Sequence, residues 1–121
     1  MSRLTDRQRT ADIIVGVLTG QVSVRNALLQ FPSTTDKSIK CAWHALVHFE
    51  ADEDIRARDE EFRQEQDEFL IFISDLLRKG QSIPTNILNE YENHHGNAAL
   101  PVDDKSLWAK ILAFFRFIHL N

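Results

Sequence analysis

Cysteine is almost absent from this sequence, which contains a single one, Cys41. One cysteine cannot form a disulfide within the chain, and it excludes any zinc site built from several thiolates. A chain without disulfides suits a reducing compartment. This scarcity therefore favours the cytoplasm.

Glycine and proline are also scarce, with four and three residues in a chain of 121. Because these residues interrupt helices and mark turns, their scarcity favours long helical segments. No stretch alternates apolar and polar residues in the manner of a half-buried strand. The apolar fraction of 43% and the charged fraction of 26% are those of a globular protein, and the length is that of one domain. We therefore predict a single all-α domain over residues 1–121.

Long apolar runs are missing as well. The most apolar stretch, Ile111 to Leu120, holds about ten residues and includes Arg116 and His119, whereas a membrane-spanning helix needs about 20. The first residues do not have the pattern of a secretory signal. With a net charge of −4, the chain lacks the surplus of lysine and arginine that nucleic-acid binding requires. These absences predict a cytoplasmic protein with neither a membrane nor a nucleic acid as its partner.

The longest segment without glycine or proline runs from Ser33 to Lys79, and Gly80 follows it. Its helical part should begin near Asp36. It could form one long helix, or two helices with a bend near Asp54 to Asp59. Its apolar residues form two stripes that lie about a third of a turn apart when projected as a helix. The first stripe contains Ile39, Ala42, Trp43, Leu46 and Val47, and the second contains Ile55, Phe62, Phe69 and Leu76. We expect one long central helix, straight or kinked, in a bundle of about five helices.

Shorter helices are expected on both sides of this segment. Gly20 should end the first helix, and Ser23 should cap the second. A helix after Gly80 should bury Ile87, Leu88 and Tyr91. The last helix has a wide apolar face, which would suit either the centre of the bundle or a subunit interface. This face is formed by Leu107, Trp108, Ile111, Leu112, Phe115 and Ile118.

His44, His48 and Asp52 are spaced four residues apart, so a helix would place two imidazoles and a carboxylate on one face. Imidazole and carboxylate ligands suit zinc or iron. One helix face supplies at most two or three ligands, and no fourth ligand is fixed by the sequence, although His94 or His95 could join. The alternative is that both histidines are ordinary helix residues hydrogen-bonded to their neighbours, and we favour it.

Two other chemical patterns are weaker. Glu92 and His95 form a Glu-x-x-His pair, but di-iron helical bundles need this pair twice, and only one copy is present. Cys41 precedes His44 by three residues, yet a catalytic thiolate needs a helix N-terminus or a cation to stabilise it. Since free cysteines are usually buried, we expect Cys41 in the core.

Residues 50 to 68 form an acidic segment that contains ten carboxylates and three arginines. Its charge is −7, so the rest of the chain carries +3. Some of this charge could be neutralised by i,i+4 pairs such as Asp59 with Arg63. Acidic runs on helices are usually solvated faces, but such a face can also steer a basic partner. The candidate partner-binding residues are Glu53, Asp59, Glu60, Glu61, Asp67 and Glu68.

The sequence thus favours a small, non-catalytic helical protein that binds a protein with a basic surface through its acidic central helix. Inhibitor, immunity-type and adaptor roles fit equally well, and no cofactor is expected. One alternative is a metal-binding protein, including an enzyme, that uses His44, His48 and Asp52 with zinc or iron. Another is a structural homo-oligomer, such as a homodimer, held together by the aromatic C-terminal helix.

Overall fold

The computed structural model describes residues 3–96, 108–113 and 115. Every regular element in these residues is a helix, which confirms the all-α prediction. A last helical segment, α7, covers residues 108–113 and 115. The other six are α1 (Arg3–Leu18), α2 (Val24–Gln30), α3 (Lys37–Ala51), α4 (Glu53–Arg58), α5 (Glu60–Arg78) and α6 (Thr85–Gly96).

The helices group into two compact units, Met1–Ile83 and Pro84–Asn121. In the second unit, Ile87 and Tyr91 of α6 are buried as predicted, whereas Leu88 is only half-buried. Ile111 and Phe115 of α7 are also buried. Two of the six residues of the predicted apolar face, Leu107 and Ile118, lie outside the described residues. The single domain over residues 1–121 stays a prediction. None of the helices described is long and apolar enough to cross a membrane.

The expected central helix is interrupted twice, at Asp52 and at Asp59, so residues 37–78 form three helices. Asp59 has an extended backbone, with φ of −129° and ψ of 102°, and its carboxylate accepts a hydrogen bond from the backbone N–H of Phe62 at 3.1 Å. It is therefore the N-cap of α5. We expected one long helix, straight or kinked, and the structure instead has three helices. The second break lies within the stretch from Asp54 to Asp59, where we considered a bend.

The core of the first unit surrounds α1, which packs most extensively against α5 and also contacts α2 and α3. Ile14 of α1 and Ile73 of α5 have no exposed surface. The first predicted apolar stripe is buried at Ile39 and Leu46, but Trp43 is 38% exposed. It lies at the edge of this stripe, where the surface that α3 buries ends.

Two glycines end their helices as predicted. Gly20 and Gly80 have φ of 77° and 75°, in the left-handed region that favours glycine. After α1, the N–H of Gly20 bonds to Val17 O and that of Gln21 bonds to Gly16 O, which is the Schellman arrangement. The same pair of bonds follows α5. The predicted Ser23 cap is also present, since its side chain accepts from the N–H of Asn26 at 3.2 Å.

Arg7 ties together three parts of the first unit. Its guanidinium donates to both carboxylate oxygens of Asp36, at 2.7 and 3.2 Å, and to the carbonyl of Gly80 at 2.9 Å. Asp36 in turn caps α3 by accepting from the N–H of Ser38 at 2.9 Å. Burial would raise the pKa of Asp36, but the bonds from Arg7 and Ser38 and the charge of Arg7 hold it below its ordinary value.

Candidate functional site

The three residues of the predicted metal face lie at the C-terminal half of α3. His44 and His48 are half-buried, and the N–H of Asp52, the residue that follows α3, donates to His48 O at 3.0 Å. The Asp52 side chain is buried, and its carboxylate accepts from the Gln66 amide at 3.0 Å. The His44 ring meets the Trp43 ring edge-on, with 5.3 Å between centroids. His44, His48 and Asp52 are therefore one helical turn apart, as predicted, but the Asp52 carboxylate is hydrogen-bonded to Gln66 of α5.

No group of three or more His, Cys, Asp or Glu side chains in the described part of the chain could hold a metal ion. The side chains of His94 and His95, which were candidates for a joint site, lie outside that part. The zinc or iron hypothesis thus stays a prediction, and no described contact favours it.

Cys41 is a core residue, as expected. Only 3% of its surface is exposed, and burial raises the pKa of its thiol far above the ordinary value. Because the thiolate is the nucleophilic form, a buried neutral thiol is a packing group and not a nucleophile.

The breaks at Asp52 and Asp59 create two helix N-termini, and these give several of the carboxylates in the acidic segment a structural role. Glu53 and Asp54 lie in the first turn of α4, and Glu60 and Glu61 lie in the first turn of α5. Carboxylates at these positions interact favourably with the positive end of the helix dipole. A continuous helix has no such ends inside it, so the sequence pattern could not assign this role. These four charges therefore have a folding role as well as an exposed position.

The predicted partner-binding residues do not form one equivalent set. Asp59 caps α5, and Arg63, which we expected to pair with Asp59, pairs with Glu60 at 3.6 Å and with Asp67 at 3.5 Å. Asp67 is half-buried, and burial raises its pKa although Arg63 and Arg56 act to lower it. Glu53, Asp59, Glu60, Glu61 and Glu68 are exposed.

A polar network joins the end of α3 to α4 and α5. Arg56 of α4 donates to the carbonyl of Phe49 and to the Gln66 side chain, and its guanidinium stacks 3.6 Å above the centre of the Phe49 ring. Gln66 also donates to Asp52. Burial lowers the pKa of Arg56, while nearby Glu53, Asp52 and Asp67 act to raise it. This network holds α4 against the rest of the first unit.

The solvent side of α5 carries a row of exposed residues, which we call the α5 outer face. Ile71 lies in this row with 48% of its surface exposed, one turn from Glu68 and one turn from Asp75. Ile71 is not among the candidate residues that the sequence pattern indicates. The available signal was its position two residues after Phe69, which places it on the opposite side of the helix from the apolar stripe. The face consists of Glu61, Gln64, Glu68, Ile71 and Asp75. Exposed Arg78 continues the same row and pairs with Asp12 of α1 at 3.1 Å.

Comparison of the chain with protein-family models, with curated proteins and with solved structures gives no match.

Proposed function

We propose that this protein is a non-catalytic helical protein that binds another protein through the α5 outer face. The partner would present a basic surface with an apolar depression. Inhibitor, immunity-type and adaptor roles all fit such an interaction.

The observation that carries the proposal is the exposed Ile71 between the carboxylates of Glu68 and Asp75. A half-exposed isoleucine offers apolar area for a partner to cover, and burying it supplies affinity. The surrounding carboxylates would supply steering and selectivity for basic partners. Glu68 and Asp75 do not lie at the N-terminus of α5. They therefore do not stabilise the helix dipole in the way that Glu60 and Glu61 do.

Affinity capture from the native host, with variants compared side by side, tests this proposal. The wild-type chain should retain a partner that is lost with Glu68→Lys, with Ile71→Ala, and at raised salt, since salt screens exposed charges. Quantitative mass spectrometry of the eluates is the measurement.

Glu92→Lys is the matched control, because Glu92 is also an exposed helical glutamate and its change alters the net charge equally. A partner that remains bound to the Glu68 and Ile71 variants, or that is lost equally with the control, would contradict the α5 outer face as the binding surface.

A further inference from the structure

Two other large apolar side chains in the described residues are exposed. Both belong to the consecutive, contacting helices α2 and α3, which we call the α2–α3 hairpin. Leu29 of α2 has 84% of its surface exposed, and Trp43 of α3 has 38%. Together with Ile71 they are the exposed large apolar residues of the described chain.

The helical spacing places Leu29 and Trp43 along the same side of the hairpin. Arg25 of α2 bonds to Glu50 of α3 at 3.2 Å while the Arg25 side chain stays 87% exposed, so this bond marks the solvent side of the two helices. Leu29 is one turn after Arg25, and Trp43 is two turns before Glu50. Because the start of α2 meets the end of α3, the two helices run in opposite directions. Leu29 and Trp43 therefore lie on the same side of the Arg25–Glu50 bond, towards the end of α2 and the start of α3. We call the surface of Arg25, Leu29, Lys40 and Trp43 the hairpin surface.

The charged residues of the hairpin surface are basic. The Arg25 side chain is 87% exposed, and Lys40 is exposed one turn before Trp43. Glu50 offsets part of this charge through its bond to Arg25. The hairpin surface therefore combines exposed apolar side chains with cations, whereas the α5 outer face combines an exposed apolar side chain with carboxylates.

We propose that the α5 outer face of one copy of the chain docks on the hairpin surface of a second copy. Ile71 would pack between Leu29 and Trp43, while Glu68 and Asp75 would face Arg25 and Lys40. The inference rests on the α5 outer face being a binding surface, as proposed above, and it adds a second copy of the chain as an occupant of that face beside the host partner.

The two surfaces lie on different helices of the same chain. A head-to-tail pair therefore leaves the hairpin surface of one copy and the α5 outer face of the other copy free. Such a head-to-tail contact does not close at two copies but adds further copies. The few anchors involved make the contact weak and sensitive to salt.

Sedimentation equilibrium over a range of concentrations up to about 1 mM tests the inference. The mass-average molecular mass of the wild type should rise continuously with concentration. Arg25→Glu/Lys40→Glu and Glu68→Lys/Asp75→Lys should each weaken association by about tenfold or more, because each places like charges opposite one another. An equal mixture of the two double variants should associate again, because the reversed α5 outer face then meets a reversed hairpin surface.

Thermal unfolding of each variant would verify that it is folded. A wild type that remains monomeric over the whole range would overturn the inference. So would a mass that levels off at two copies, or a mixture that associates no better than its components. The hairpin variant also separates the two proposals: it should lose self-association yet still capture the host partner, whereas Glu68→Lys/Asp75→Lys should lose both.

Discussion

At the scale of single residues, Arg7 stands out by the number of separate segments it joins. Its side chain is 14% exposed and that of Asp36 is 2% exposed, so their ion pair is largely removed from water. The same guanidinium also reaches the carbonyl of Gly80, in the turn after α5. When one member of a buried pair is removed, the other charge is left without compensation, and this costs more than the pair itself contributes.

We therefore expect Arg7→Ala to lower the free energy of unfolding by about 3 kcal/mol near neutral pH. Arg9→Ala is the control, because Arg9 is an exposed arginine in the same helix and its loss should cost less than about 0.5 kcal/mol. Urea unfolding measures both. Equal losses for the two variants would contradict the role given to Arg7.

The cost of Arg7→Ala should also depend on pH. Because the pKa of Asp36 is lower in the folded chain than in the unfolded one, its ionised form stabilises the fold. That contribution is complete above the unfolded pKa of about 3.9 and is lost as the pH falls through the folded value. The difference between wild type and variant should thus shrink as the pH is lowered below about 3.9, and a constant difference would argue against the pair.

At the scale of elements, the sequence indicated the helix ends marked by glycine and serine but not those marked by aspartate. Gly20 and Gly80 end their helices because a left-handed backbone costs glycine little, and this holds wherever the helices pack. Asp52 and Asp59 are different, since an aspartate can either pair with an arginine one turn away or cap a new helix. Asp59 caps α5, whereas the Asp52 carboxylate makes no capping bond to the N-terminus of α4 and accepts from Gln66, a tertiary contact that the sequence does not specify.

The cap of α5 can be tested by substitution. Asp59→Ala removes the acceptor for the N–H of Phe62 and should destabilise the protein by about 1 kcal/mol. Asp59→Asn should retain most of the stability, since asparagine is an equally good N-cap. Asp54→Ala, which removes an exposed first-turn carboxylate that is not a cap, should cost only about 0.3 kcal/mol. Chemical denaturation would refute the cap if Asp59→Asn were as damaging as Asp59→Ala.

At the scale of the whole molecule, the class of the fold could be predicted because it follows from what the chain lacks. The candidate surfaces were harder to predict. The excess of carboxylates was visible in the sequence, but Leu29, Trp43 and Ile71 are apolar residues whose exposure depends on which helix sides α1 covers. Periodicity identifies the apolar side of each helix, but it does not say how much of that side a neighbour will reach.

The central position of α1 leads to a matched pair of substitutions. Ile14 has no exposed surface, so Ile14→Ala should leave a cavity and cost about 3 kcal/mol. Ile71→Ala removes the same atoms from a half-exposed site and should cost well under half as much. Thermal unfolding monitored by circular dichroism compares the two. Similar losses would mean that α1 is not the centre of the core.

The short helix α4 buries none of its residues and is held mainly through Arg56. Its amide hydrogens can therefore exchange with solvent through a local opening that leaves the core around α1 intact. Amide hydrogens of α1 next to fully buried residues instead exchange only when the first unit unfolds. Within the span that first looked like one uninterrupted helix, deuterium uptake should thus differ most between α4 and the buried half of α5.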